Sequence, residues 1–206
     1  MENFILGLFT SGSLILAIGP QNLFVIEQGL KKNFIFAVTS ICAVSDVFLI
    51  FLGVFVYSIF NSILLELELL LNILLVLFLI NFIKNKIVDF NKSFKIKDKK
   101  KFKKFKEVII KTLGFTYLNP HVYSDTVFIL GNLSKNFSIS DKLIFACGAS
   151  LTSIIFFYLL GYMSSIFAKL INKTKTWKYI NFFIITFMSI IVVYVIYETF
   201  IKFTLI

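Results

Sequence analysis

The sequence predicts an all-α integral membrane protein whose six transmembrane helices form two inverted three-helix repeats. Of its 206 residues 58% are hydrophobic, and the mean hydropathy of +0.91 is far too high for a soluble domain. Its two prolines, Pro20 and Pro120, both interrupt apolar segments of membrane length. Most of its 21 basic residues, all of them lysines, fall on one predicted side of those segments.

Six apolar segments are long enough to cross a bilayer. A hydrocarbon core of roughly 30 Å needs about 20 apolar residues per helix. The predicted spans are about 3–27, 35–59, 67–83, 108–131, 142–167 and 179–203. We therefore expect a single transmembrane transporter domain over 1–206, with repeat one at about 1–83, a Lys-rich loop at about 84–107 and repeat two at about 108–206. The first span follows no basic segment and has no cleavage site, so it is predicted to be a retained helix.

The lysines predict the topology. Eighteen lie on one side of the six spans, and three lie on the other, namely Lys135, Lys142 and Lys202. The positive-inside rule then places both termini in the periplasm and the Lys-rich loop in the cytoplasm of a cell with an inner membrane. This placement explains the net charge of +10 by adhesion of the loop to anionic lipid, at about 1 kcal/mol per lysine. A regulatory or nucleic-acid role of the loop is the minor alternative, and no nucleic-acid partner is expected.

The two halves of the chain have opposite membrane sense, because three spans precede the loop and three follow it. A short internal match supports a duplication: residues 26–34 and 129–137 agree at five of nine positions. Each of these segments follows shortly after one proline motif. Inverted repeats with a binding site near the midplane are a recurring plan of transporters.

The proline motifs predict two broken helices, the first and the fourth. In Asn119-Pro120 the asparagine suits the N-cap and the proline the first helical position, and Gly19-Pro20 can do the same. A half-helix that starts inside the membrane offers unpaired N–H groups and a partial positive charge to an anion such as a carboxylate. Gln21 and Asn22 add neutral polar groups. The alternative is that both prolines are mere kinks.

Two carboxylates, Asp46 and Asp125, lie within predicted spans. A central aspartate costs about 2.5–3.5 kcal/mol, so both are candidate cation ligands or proton carriers, and a structural hydrogen bond is the alternative. His121, the single histidine, is more often a capping residue at such a break, and Glu27 is expected near the inner surface. Because no metal-ligand spacing, nucleophile motif or phosphate loop is present, we expect no metal, no cofactor and no enzymatic activity.

Three motifs resemble the L-lysine exporter family, which includes bacterial exporters of lysine and arginine. They are Ile18-Gly19-Pro20-Gln21-Asn22, Ser45-Asp46-Val47-Phe48 and Leu118-Asn119-Pro120, with Tyr123 and Asp125 following. The resemblance covers nearly the whole chain and is nearer to the basic-amino-acid branch than to the homoserine and threonine branch. It implies an inner-membrane exporter driven by protons or by the membrane potential. The residues expected to form the substrate or ion site are Gly19, Pro20, Gln21, Asn22, Asp46, Asn119, Pro120 and Asp125.

The sequence thus predicts a secondary active exporter of lysine or arginine whose partners are the substrate, a coupling proton and membrane lipid. Export of a neutral amino acid is one alternative, and a non-transporting membrane scaffold is another. Lysine against arginine, the coupling ion, the role of His121 and the oligomeric state, a homo-oligomer included, are left open by the sequence.

Overall fold

The computed structural model describes residues 1–17, 19–91, 105–168 and 174–204, with side chains throughout except at 58–68, 89–91, 174–177, 198 and 202–204. In these ranges the chain is helical and contains no strand. The helices are, in chain order, α1 (Glu2–Ile15), α2 (Pro20–Lys31), α3 (Ile35–Asn91), α4 (Phe105–Tyr117), α5 (Pro120–Tyr123), a π-helical segment (Ser124–Ile129), α6 (Leu130–Ser134), α7 (Ile139–Phe167) and α8 (Thr174–Thr204).

Four helical stretches of the described chain are long and apolar enough to cross a membrane: Ile35–Tyr57, Leu69–Val88, Ile139–Phe167 and Lys178–Ile201. A fifth is reached if α1 and α2, which meet at 79°, count as one broken span. The protein is therefore a multi-pass membrane protein. The predicted fourth span, 108–131, is divided among α4, α5, the π-helical segment and α6, each too short to pass this test alone.

The predicted second and third spans both lie in α3, but they pack side by side. A straight helix of 57 residues would be about 85 Å long. However, Leu71 packs against the buried cluster that contains Leu49, and Val38 and Phe82 belong to one buried cluster. The end of α3 thus lies beside its beginning, as is expected if its two stretches cross the membrane in opposite directions next to each other.

Both helix starts predicted at prolines are confirmed. α2 begins at Pro20 with Gly19 as its N-cap, and α5 begins at Pro120 with Asn119 as its N-cap. The first break follows the end of α1 at Ile15, and the second follows the end of α4 at Tyr117.

Both ends of the stretch 84–107, which the sequence predicted to be a Lys-rich loop, are helical, because α3 continues to Asn91 and α4 begins at Phe105. In the part of α3 beyond residue 83, Lys86 is buried, 7% exposed, and forms an ion pair with Glu27. The lysines between 92 and 104, on which the predicted lipid adhesion mainly depends, lie outside the described residues.

Glycines allow α1 and α7 to run in the same direction in close contact. A Cβ atom at Gly7 would lie 2.2 Å from the carbonyl oxygen of Phe145, and one at Gly148 would lie 2.2 Å from that of Phe4. Further along both helices, Thr152 donates a hydrogen bond of 3.0 Å to the carbonyl of Leu8. This tight pair supports one wall of the cavity described next.

Candidate functional site

A cavity of about 280 Å³ lies where the two helix breaks meet α3, α7 and α8. Its lining includes the start of α2, the N-cap of α5 and the carboxylates of Asp46 and Asp125. Apolar side chains such as Leu14 and Phe157 complete the wall. A few convergent polar groups in a mainly apolar cavity are typical of a binding site for a small molecule.

The first break is stabilised by Asn22. Its side-chain amide donates hydrogen bonds of 3.0 Å to the carbonyl of Ile15 and of 3.0 Å to that of Ala17. The first carbonyl belongs to the last residue of α1 and the second lies two residues beyond it, where no further helical turn supplies donors. Gln21 donates a bond of 3.1 Å to Thr116 of α4, so it links the first broken segment to the second. Side chains of α2 thus supply donors at the end of α1 and connect the two broken segments.

The second break is stabilised in a different way. The side chain of Asn119 accepts a hydrogen bond of 3.2 Å from the backbone N–H of His121, as an N-cap does. The hydroxyl of Tyr123 donates a bond of 2.8 Å to the carbonyl of Tyr117 at the end of α4. A side chain that follows the break thus donates a hydrogen bond to a carbonyl at the end of the preceding helix, as Asn22 does at the first break.

Asp125 lies in the π-helical segment Ser124–Ile129. A π-turn inserts an extra residue into a helix, which rotates the side chains that follow, and such turns occur frequently at functional sites. Asp125 is half-buried in the cavity wall, one helical turn from His121. The imidazole of His121 stacks on Tyr194 of α8 with ring centroids 6.2 Å apart, and both residues line the cavity.

Asp46 lies deeper than Asp125 and is 5% exposed. Its Oδ2 accepts a hydrogen bond of 3.0 Å from Ser153 of α7. Its Oδ1 is buried and receives no hydrogen bond from the part of the chain that the structure describes. A buried carboxylate oxygen without a donor is costly, and it is suited to hold a proton or a cation.

The structure brings the predicted site residues together. Seven of them line the cavity: Gly19, Pro20, Gln21, Asn22, Asp46, Asn119 and Asp125. Pro120 does not line it, although both of its neighbours in the chain do. That these residues bind a substrate or an ion stays a prediction. In the described ranges no group of three His, Cys, Asp or Glu side chains could hold a metal ion.

The sequence analysis missed Ser153, Thr116 and Tyr194, which contact predicted site residues or line the cavity. Ser153 and Thr116 are polar residues within apolar helices, a weak signal that many structural residues share. Tyr194 gave no signal at all, because tyrosine is common in membrane helices.

Comparison with known proteins identifies the family of the chain. The family described as LysE type translocator matches residues 12–199, which include both helix breaks and both aspartates. The chain belongs to this family.

Two kinds of named relative resemble this translocator over most of its length. The arginine exporter protein ArgO of Pectobacterium atrosepticum is 33% identical, over 88% of this chain and 90% of its own. That of Photorhabdus laumondii is 32% identical, over 91% and 92%. The lysine exporter LysE of Corynebacterium glutamicum is 27% identical, over 92% and 96%. No solved structure matches this translocator significantly.

Proposed function

We propose that this translocator exports basic amino acids, lysine or arginine, across the bacterial inner membrane. The observation that carries the proposal is that Asp46 and Asp125 line the same cavity as the start of α2 and the N-cap of α5. The names of the relatives, arginine exporter and lysine exporter, agree with it.

The cavity matches the charges of such a substrate. The N–H groups at the start of α2, which no side chain of the described residues caps, suit the α-carboxylate, because a helix N-terminus carries roughly half a positive charge. At α5 the N–H of His121 already donates to the cap Asn119, so α5 contributes its dipole but no free N–H group of its first turn. Asp46 or Asp125 suits the cationic side chain or the α-ammonium group. A substrate with two cationic groups and one anionic group is thereby complementary to two carboxylates and the uncapped start of α2.

Coupling to protons follows from competition for one carboxylate. Asp46 has a buried oxygen that accepts no hydrogen bond from the described residues, so it can hold either a proton or the substrate's ammonium group. Because the proton and the substrate's ammonium group cannot occupy this carboxylate at the same time, their competition is sufficient to exchange one for the other across the membrane. We therefore assign Asp46 the primary role and Asp125 the secondary one.

The contacts between helices support six passes in two inverted repeats. α1 and α7 run in the same direction. The first stretch of α3 is antiparallel to α7, because Ser40 contacts Tyr158 while Asp46, further along α3, contacts Ser153, which comes earlier in α7. The two stretches of α3 lie side by side, and the broken region Phe105–Ser134 supplies the pass that length and composition alone do not detect. Repeat one then ends with α3, and repeat two begins with α4, within one transmembrane domain over 1–206. Both termini would be periplasmic.

Two alternatives make different predictions. A neutral amino acid of the homoserine or threonine type would leave one carboxylate without a counter-charge in the cavity. A non-transporting scaffold would not need Asp46 as a carboxylate. Whether the protein works as a monomer or as a homo-oligomer does not alter either test, because the cavity is lined within one chain.

The decisive experiment is release of radiolabelled amino acids from proteoliposomes that contain the purified protein. Vesicles loaded with lysine, arginine or threonine are placed in a proton gradient of either direction, with protein-free vesicles as the control. We expect gradient-dependent release of lysine or arginine and little release of threonine. Release of threonine alone, or of none of the three, would reject the proposal.

A further inference from the structure

A buried ion cluster lies at the end of α2 that is remote from the cavity. Glu27 is 1% exposed, and its Oε1 lies 2.8 Å from the Nζ of Lys86 and also contacts the ammonium group of Lys31. The Nζ of Lys86 donates a hydrogen bond of 3.0 Å to Asn181. Glu27 belongs to α2, Lys86 to α3 and Asn181 to α8, so the cluster joins three helices.

An aromatic layer lies between this cluster and the cavity. Phe24 stacks on Phe115 with ring centroids 4.7 Å apart, and Phe82 packs edge-on against Phe115 at 5.0 Å. All three rings are buried. The Nζ of Lys86 lies 5.7 Å from the centre of the Phe82 ring, so the aromatic layer and the ion cluster are in contact.

The order of residues along α2 shows how the layers follow one another. Gln21 lines the cavity, Phe24 is one turn further on, and Glu27 is another turn further, at about 4.5 Å per step. A solute that moves between the cavity and the Lys-rich end of the bundle along α2 must therefore separate the aromatic contacts and then the ion cluster.

The contacts also indicate which helices would separate. Two hydrogen bonds hold the second stretch of α3 to α8 at two levels. Lys86 donates one to Asn181, and Asn72 donates the other, of 3.1 Å, to Thr199. On the other side α2 is fixed to α7, because a Cβ atom at Gly29 would lie only 2.5 Å from a backbone oxygen of that helix. The contact of Glu27 with Lys86 connects these two units.

We propose that the Glu27–Lys86 ion pair is the latch of an inner gate, which closes the cavity toward the Lys-rich end of the bundle. When the latch opens, α2 and α7 part from α8 and the second stretch of α3, and the aromatic layer opens with them. In the open state Glu27 keeps its ion pair with Lys31, which also belongs to α2. Opening therefore does not leave a buried carboxylate without a positive partner. The proposal rests on the proposed function, which makes this end cytoplasmic and the entry side for substrate.

The native Cys42 reports on this gate. Cys42 is completely buried, and its thiol contacts the side chains of Gln21 and Thr116 in the wall between the cavity and the aromatic layer. The chain has two cysteines, and Cys147 is exposed, so Cys147→Ser leaves a single informative thiol. A membrane-impermeant maleimide is applied to this full-length protein in inside-out and in right-side-out membrane vesicles, and the labelling rate is measured.

Lys86→Gln removes the positive charge of the latch but keeps a polar side chain at this position. We expect Cys42 to be labelled about tenfold faster in inside-out vesicles and less than about twofold faster in right-side-out vesicles, the size of an ordinary coupling effect. Lys111→Gln is the matched control, since it removes a lysine ion pair with Glu107, of 2.7 Å, that is more exposed and lies on α4. It should leave both rates unchanged.

Charge reversal separates a gate from a merely structural contact. Glu27→Lys alone should accelerate labelling from the inside, and Glu27→Lys combined with Lys86→Glu should restore the slow rate. Equal acceleration from both sides, or no acceleration in inserted protein, overturns the proposal.

If the charge variants fail to accumulate, a cross-link tests the same contact. Cysteines replace Glu27 and Lys86 in a chain in which Cys42 and Cys147 are serines, and a short bifunctional thiol reagent joins them. The cross-linked protein should no longer release lysine or arginine, whereas the same double-cysteine protein without the reagent should still release them. Undiminished release after cross-linking overturns the latch. If the unmodified protein releases neither amino acid, the proposed function fails, but the sidedness of Cys42 labelling still decides the gate.

Discussion

Replacing Asp46 by asparagine removes a charge while it preserves the shape of the site. The amide oxygen of asparagine can still accept the hydrogen bond from Ser153, which is 3.0 Å long in the structure. What is lost is the attraction for a cationic substrate and the ability to carry a proton. Insertion should not suffer, because a neutral amide is less costly in the bilayer than a carboxylate.

The loss can be sized from the burial of the carboxylate. An ammonium group 4 Å from a carboxylate gains about 1 kcal/mol in water and about 4 kcal/mol at an effective dielectric constant of about 20. Asp46 is 5% exposed, so the larger figure applies. Since each 1.4 kcal/mol is a factor of ten in affinity, substrate binding should weaken by up to roughly 700-fold. Driven export should then be undetectable.

The assay is intracellular lysine in cells that are fed lysine-containing dipeptides, at matched amounts of membrane-inserted protein. Cells with Asp46→Asn should accumulate lysine as cells without the protein do. Ser153→Ala is the matched control, because it removes the hydrogen bond but keeps the charge, and it should clear lysine at a reduced rate. If Asp46→Asn clears lysine as fast as the unmodified protein, the proposed mechanism is wrong even if the protein is an exporter.

Three further predictions test the site, the packing and the topology. Asp125→Asn should slow lysine export less than Asp46→Asn does, and His121→Gln least of all, in the same dipeptide assay. Gly7→Ala should destabilise the purified protein by about 1–3 kcal/mol, seen as a lower Tm, because the new Cβ would lie 2.2 Å from a backbone oxygen, whereas Gly12→Ala, at 3.5 Å from its nearest neighbour, should not. A C-terminal reporter that is active only in the cytoplasm should remain inactive, and activity would contradict the six-pass topology.

The helix breaks could be predicted because proline acts locally. Pro20 and Pro120 cannot donate a backbone hydrogen bond, and in hydrocarbon the freed groups need partners from the protein itself. The neighbours Gly19 and Asn119 are suited to start a new helix, and both are N-caps in the structure. The identity of these residues and their place in an apolar segment were sufficient.

The π-helical segment around Asp125 could not be predicted in the same way. Its extra residue carries no distinctive composition, since Ser124–Ile129 is compatible with an ordinary helix. The depth of Asp125 in its span therefore does not follow from counting residues at 3.6 per turn. Tertiary contacts that favour a π-turn are long-range, and a single sequence does not reveal them.

The burial of Glu27 was also missed, for an instructive reason. A glutamate four residues before a lysine is the usual pattern of a solvent-exposed helix face, so Glu27 and Lys31 give no sign of burial in the sequence. The structure adds Lys86, which is distant in sequence, and the two lysines together neutralise a carboxylate that is 1% exposed. Only the packing of α3 against α2 makes the cluster visible.

Exchange of one proton for one lysine would remove the electrical cost of exporting a cationic substrate. Exporting a monovalent cation against an inside-negative potential costs about 2.3 kcal/mol per 100 mV. If one proton returns on Asp46 for each lysine that leaves, no net charge crosses the membrane and that cost disappears. The proton gradient then remains as the driving force, so proton-driven release from proteoliposomes should persist when the membrane potential is clamped to zero. Dependence on the potential alone would mean that Asp46 binds the substrate but does not carry the coupling proton.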